Sequence, residues 1–223
     1  MTGRIHAPPG LFITGTDTDV GKTYVTALMA REMREAGVRV GVYKPVASGC
    51  TIGAEGRQIC PDAEELSRAT GGQFDIERIA PQQFQAALAP PVAARLEGTS
   101  VDADLLRTGV EWWRGRVDLL LVEGVGGLLC PITEEESVAD LVRDLGYPLI
   151  VVARLGLGTI NHTLLTLEAA QSRGLTVAGV ILNQSTQADA DVASEFNPAE
   201  IVRRSGVPVL GVVRYKQLGL LSF

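Results

Sequence analysis

The stretch GTDTDVGKT, Gly15 to Thr23, holds the residue types that cradle a polyphosphate. It follows the apolar run Leu11–Thr14 and precedes an amphipathic stretch of helical length. A tight turn there points successive backbone N–H groups inward, and the next helix begins facing the same space. Phosphate oxygens then meet several donors, the positive end of a helix and the Lys22 ammonium. The hydroxyl of Thr23 is placed to reach Mg²⁺. Gly15 and Gly21 enclose five residues, one more than the common spacing. The competing reading is a glycine turn beside an exposed lysine, but a turn requires neither the Lys-Thr pair nor this length. Asp17 and Asp19 would repel phosphate if their carboxylates faced inward. Either their amides face the anion while the carboxylates face elsewhere, or one carboxylate accepts hydrogen bonds from an amine substrate.

Further candidates lie downstream. Lys44, in YKPVASG, ends an apolar run near the phosphate loop, where a cation stabilises negative charge as it develops. Taken alone, it also reads as a surface lysine before a turn proline. Asp62, in CPDAEEL, is placed as a helix N-cap, with Glu65 completing a capping-box pattern. Glu123, in LLLVEGVGG, stands at the carboxyl end of a buried run, followed by glycines that let backbone approach a ligand. It offers a hard oxygen to a partly hydrated Mg²⁺ shared with Thr23, or else pairs with a nearby lysine. LGLGTINH reads as a glycine-rich entry into a helix whose N-terminus suits a carboxylate. Asn183, in VILNQS, ends another run and reads equally well as a turn residue.

The elements that must position these residues alternate. Short β-branched runs fall at 11–14, 38–43, 118–123, 149–153, 177–182 and 207–213. Several are apolar on both faces, as in a covered parallel strand. Helix candidates fall between them at about 23–36, 62–70, 102–114, 137–145, 159–173 and 197–205, and Gly37, Gly146, Gly174 and Gly206 follow helices in C-cap style. The pattern predicts an α/β fold: a doubly wound, mainly parallel sheet with helices on both faces. Ligands then sit at the carboxyl ends of the strands. Region 50–100 reads as loops with short helices that shape a substrate pocket. We expect one domain over 1–223, with 1–9 a flexible tail in which His6 carries no weight. Trp112 and Trp113 read as packing residues.

Composition excludes other classes. Hydrophobic residues make up 46% and charged residues 21%, with 20 basic against 26 acidic side chains, net −6. That balance disfavours nucleic acid and anionic membrane as partners. There is no apolar window of about 20 residues and no apolar leader in MTGRIHAPPG, so a cytoplasmic location is expected. Cys50, Cys60 and Cys130 lack CxxC spacing and read as reduced thiols rather than as a disulfide frame or metal site.

Four motifs in order, TGTDTDVGKT, GVYKPVASG (41–49), LLVEGVGGLLCPI (120–132) and LGLGTINHTLLT (155–166), resemble dethiobiotin synthetase, with similarity from about 11 to about 213. The resemblance implies a P-loop NTPase fold and ATP-dependent carboxylation and ring closure of 7,8-diaminononanoate with CO₂ or bicarbonate. The products are dethiobiotin, ADP and phosphate, formed through a carbamate and a carbamic-phosphoric anhydride. It implies a nucleotide site from Asp19, Val20, Gly21, Lys22, Thr23 and Tyr24, bordered by Gly124, Val125 and Gly126, with Asn183 at the base. Mg²⁺ falls to Thr23, Asp62 and Glu123, catalysis to Lys22 and Lys44, and the diamine to Thr18, Lys44 and Ser48. Gly158, Thr159 and Asn161 act across the interface of a homodimer. The segment VVRYKQLG lacks the family's proline, which bears on base recognition. The main alternative is a regulatory P-loop ATPase of the partition or cell-division type. Thr16, Asp17 and Thr18 stand where such proteins carry a second lysine.

Overall fold

The computed structural model describes residues 9–53, 56, 58–186 and 192–217. His6 and nearly all of the expected tail lie outside those residues. In chain order the elements are β1 (Gly10–Gly15), α1 (Lys22–Glu35), β2 (Val40–Tyr43), β3 (Val46–Ala47), β4 (Thr51–Ile52), β5 (Gln58–Ile59), α2 (Pro61–Ala69), α3 (Ile76–Ile79), β6 (Gln82–Gln83), α4 (Pro90–Leu96) and α5 (Ala103–Thr108). There follow β7 (Leu119–Gly127), α6 (Val138–Leu145), β8 (Leu149–Arg154), α7 (Thr159–Ser172), β9 (Val177–Asn183), α8 (Ala193–Ser205) and β10 (Val209–Val213).

The central sheet has the order β10-β9-β8-β1-β7-β2, and all its pairings are parallel. Apolar runs make this possible, because strands covered on both faces need no polar side: Phe12, Leu120, Leu121, Val122 and Val151 are fully buried. The chain winds one way from β1 to β2 and the other way through β8, β9 and β10. Right-handed crossovers then put α1 and the later helices α6 to α8 on opposite faces. The reversal of direction occurs beside β1, so the loop after β1 opens at the switch point.

Several expectations are corrected. The helix expected at 102–114 is broken. α5 starts at an Asp102 cap whose Oδ1 accepts the Leu105 amide at 2.9 Å, and a 3-10 turn, Gly109–Trp113, follows. Gly109 lies against the Tyr43 ring and Trp113 is fully buried, so packing tightens the chain there. Region 50–100 also holds strands: β6 pairs in parallel with β3, just before the region, and β4 pairs with β5 antiparallel. That hairpin sets Cys50 against Cys60, and they form a disulfide, where free thiols were expected. β7 runs on to Gly127, past the expected end at Glu123, with a register shift against β1.

Candidate active site

α1 begins at Lys22 because Gly21 takes φ 90°, a left-handed conformation open to glycine. Its missing Cβ also makes room: a Cβ there would meet Asn183 Nδ2 at 2.0 Å. That amide instead donates to the Val20 carbonyl at 2.9 Å, tying the end of β9 to the phosphate loop. Lys22 Nζ donates to the Asp17 carbonyl at 2.9 Å. The Asp17 carboxylate accepts the Thr18 amide, so it folds back onto its own loop and faces no anion. Asp19 adopts φ 57° at the loop's crest.

Behind this loop lies a buried charge cluster. Lys44 follows β2, and its backbone is fixed by a 2.7 Å bond from its amide to the Ile79 carbonyl. Its Nζ donates to Glu123 Oε1 at 2.7 Å and pairs with Asp62 Oδ2 at 2.8 Å. Thr23 Oγ1 donates to the same Glu123 oxygen at 2.6 Å. Lys44 is 3% exposed and Glu123 not at all, whereas the Asp62 side chain is 46% exposed. Burial opposes the Lys44 charge, but Glu123 and Asp62 outweigh it and hold the ammonium above the usual lysine range. Burial and the neighbouring Lys44 charge lower the Lys22 pKa. Burial pushes Asp62 up, yet Lys44 prevails and leaves it below the usual carboxylate range. Asp62 is not the helix cap that its sequence suggested. Pro61 occupies the first turn of α2 and Cys60 the cap, without a side-chain cap bond. One residue into the helix, Asp62 is free to turn toward Lys44.

Among the described residues, the buried acceptors without a hydrogen-bond partner include Glu123 Oε2 and Asn183 Oδ1 beside the cavity, along with the Thr14 hydroxyl. Such groups are costly unless a ligand satisfies them. The Glu123 oxygen, beside Thr23 and Asp62, fits a hard divalent cation. Among the described residues no three His, Cys, Asp or Glu side chains gather into a protein-only metal cage. A cation here would draw its other ligands from phosphate and water, which suits Mg²⁺. Asn183 Oδ1, behind the phosphate loop, suits a donor such as a base amino group.

A cavity of about 680 Å³ gathers much of the predicted set, including Thr18, Asp19, Gly21, Lys22, Thr23, Lys44, Ser48, Asp62, Val125 and Gly126. Val20 is fully buried beneath the loop. Gly124 lies in the core, where a Cβ would press on Phe12 and Val138 at 3.0 Å, so its smallness serves packing. Tyr24 donates its hydroxyl to the Gln217 carbonyl, linking α1 to the segment after β10. Gly158, Thr159 and Asn161 do not line this cavity; Gly158 caps α7, and Thr159 is buried with its hydroxyl 3.4 Å from that of Thr163. The cavity also takes in Ala87, Leu88, Ala89 and Cys130, none of which the sequence placed in the site. The apolar run AALAP before α4 was the available signal. Only three lysines occur in the whole chain, Lys22, Lys44 and Lys216, and two of them stand here.

The AAA-domain family profile matches residues 9–218. An ATP-dependent dethiobiotin synthetase of Anaeromyxobacter sp. (strain Fw109-5) is 48% identical over 197 residues, 88% of this chain and 86% of that protein. That of Rhodopirellula baltica is 41% identical over 222 residues, covering 95% and 86%. That of Bacillus cereus (strain B4264) is 42% identical over 210 residues, covering 92% and 83%. Among solved structures, chloroplast FtsY from Physcomitrella patens matches with a TM-score of 0.57 at 20% identity, covering 100% of this chain and 65% of the other. That likeness shows the fold alone. No helix among the described residues is long and apolar enough to cross a membrane. Identities of 41–48% across most of both chains favour the synthetases over a regulatory ATPase: the chain belongs to the ATP-dependent dethiobiotin synthetase family.

Proposed function

We propose that this chain uses ATP to close the ureido ring of dethiobiotin from 7,8-diaminononanoate and CO₂, as a cytoplasmic homodimer with Mg²⁺. The observation that carries this reading is the Lys44–Glu123–Asp62–Thr23 cluster between a phosphate loop and an open cavity. A pure phosphate cradle needs no second buried lysine.

Lys22 and the loop amides hold the triphosphate. Thr23, Asp62 and Glu123 would hold Mg²⁺, which neutralises charge on the β- and γ-phosphates. One substrate amine, deprotonated, adds to CO₂ and loses a proton to give the carbamate. Lys44 and Ser48 hold that carbamate, with Thr18 at the loop's edge. A carbamate oxygen attacks the γ-phosphorus and ADP leaves. The second amine then attacks the carbamoyl carbon, loses its proton and expels phosphate, which closes the ring. Holding both reactants in one cavity supplies much of the acceleration, since effective molarities of about 10⁵–10⁸ M are reached in oriented systems. The apolar wall formed by Ala87, Leu88 and Ala89 faces the substrate's methylene chain.

The dimer reading has separate support. A groove of about 440 Å³ adjoins the cavity, with Thr18, Gly126 and Cys130 common to both, and includes Leu128, Leu129, His162 and Leu165. Leu129, Leu165 and the nearby Leu157 are 51%, 56% and 88% exposed. An apolar face of this kind suits a second copy, whose Gly158, Thr159 and Asn161 region would hold the substrate's far carboxylate. The test is ADP release by purified protein. It should require diamine and bicarbonate together; equal release without them would reject the assignment.

A further inference from the structure

Glu123 Oε1 accepts from Lys44 Nζ at 2.7 Å and from Thr23 Oγ1 at 2.6 Å, while Lys44 also holds Asp62 at 2.8 Å. The ammonium therefore sits on the same two carboxylates that a divalent cation beside Thr23 would use. Mg²⁺ takes oxygen ligands at about 2.0–2.1 Å in a strict octahedral arrangement. Bound through the free Glu123 Oε2, it would stand on the same carboxylate as the ammonium on Oε1 and meet it with strong like-charge repulsion. Without either cation, the buried Glu123 would stand uncompensated beside Asp62.

We propose that Lys44 is the resident counter-ion of Asp62 and Glu123, and that its ammonium leaves both carboxylates for the cavity when a divalent metal arrives with nucleotide. There it becomes the cation for the carbamate. The proposal rests on the metal reading given under Proposed function and adds an order to it. The carbamate's partner is locked away until the metal–nucleotide complex is in place. The side chain alone must move, because the Lys44 amide is anchored to the Ile79 carbonyl. The cavity that Lys44 and Ser48 both line gives it somewhere to go. A lysine suits this work: a flexible stem carries a compact charge from one set of oxygens to another, whereas an arginine fork would hold its carboxylates in fixed geometry.

Because the chain has only three lysines, the side-chain ammonium signals of lysine-¹⁵N-labelled protein can be assigned with K22R and K216R. In the free protein the Lys44 signal should be protected from solvent exchange. Mg²⁺ with ADP should shift it and speed its exchange at least about tenfold, and ADP with EDTA should leave it in place. In parallel, Mn²⁺ binding to nucleotide-free protein, read by electron paramagnetic resonance, should be at least about tenfold tighter in folded Lys44→Gln than in wild type. A Lys44 signal unmoved while Mg²⁺ and ADP bind would overturn the displacement and leave the metal reading intact. So would equal Mn²⁺ affinity in the two proteins. Failure of wild type to bind Mn²⁺ even with ADP would overturn both. The resonance measurement uses wild-type protein, so it decides even if Lys44→Gln does not fold.

Discussion

Lys44 Nζ and Glu123 Oε1 come from residues 79 apart in the chain and lie 2.7 Å from each other, with Glu123 fully buried. The pair is therefore structural as well as chemical. Lys44→Gln should lower kcat by at least about 10²–10³-fold, the usual effect of losing a group aimed at developing charge. It should also destabilise the fold by about 3–5 kcal/mol, because it strands a buried carboxylate. Urea unfolding alongside steady-state kinetics checks both, and the double variant with Glu123→Gln should recover most of the stability and none of the rate.

Glu123→Gln alone keeps the shape but removes a charge and the proposed metal ligand. Even outer partners of metal ligands cost 10–100-fold when removed, so Mg²⁺-dependent ADP affinity should fall by at least about tenfold. Calorimetric titration with and without Mg²⁺ reads the loss. ADP affinity without Mg²⁺ should be nearly unchanged.

Gly21 joins the phosphate loop to Asn183. An alanine would sit in a left-handed conformation costing about 1–2 kcal/mol, and its Cβ would collide with the Asn183 amide. Gly21→Ala should weaken nucleotide binding more than tenfold. Asn183→Ala should spare phosphate affinity but narrow the difference between ATP and GTP as substrates, measured as a ratio of kcat/KM values.

The Cys50–Cys60 bond closes a short loop between the segment after β3 that carries Ser48 and α2, which carries Asp62. Such a bond stabilises by about 2–3 kcal/mol through loop closure. Reduction, or Cys60→Ser, should lower urea-unfolding stability by about that amount. Alkylation of the native protein followed by peptide mass analysis should label Cys130 and spare the other two. Cystines are uncommon in the cytoplasm, so this labelling also bears on where the protein works.

α6 opens with a capping box between Ser137 and Asp140. Hydrogen bonds from the Ser137 amide and hydroxyl, helped by Arg143, hold Asp140 below the usual carboxylate range. A depressed pKa contributes stability that is complete above the ordinary value and is lost as pH falls through the lowered one. Asp140→Asn should cost about 1 kcal/mol at pH 7 and less near pH 2, by urea titration at both.

The sequence made the sheet legible, because buried parallel strands are continuous apolar runs and the phosphate loop interrupts one in a recognisable way. It also named the four polar residues of the buried cluster. What it concealed is pairing. Asp62 reads as a cap because a carboxylate before a helix usually is one, but Cys60 caps the helix and Pro61 opens it, which puts Asp62 two positions inward. Cys50 and Cys60 meet through a hairpin of two-residue strands, too short to leave a period. Gly124 reads as a glycine for a ligand, yet it makes room for Phe12. Leu88 and its alanine neighbours look like loop filler until the cavity is in view.

In the proposed reaction a carbamate oxygen attacks the γ-phosphorus beside Lys44. ¹⁸O-labelled bicarbonate, diamine, ATP and Mg²⁺ can be mixed in ordinary water and quenched before the label exchanges. Ring closure breaks the carbamoyl C–O bond, so the released phosphate should carry one ¹⁸O. Unlabelled phosphate, with the fourth oxygen taken from water, would show plain ATP hydrolysis and rule out attack by the carbamate.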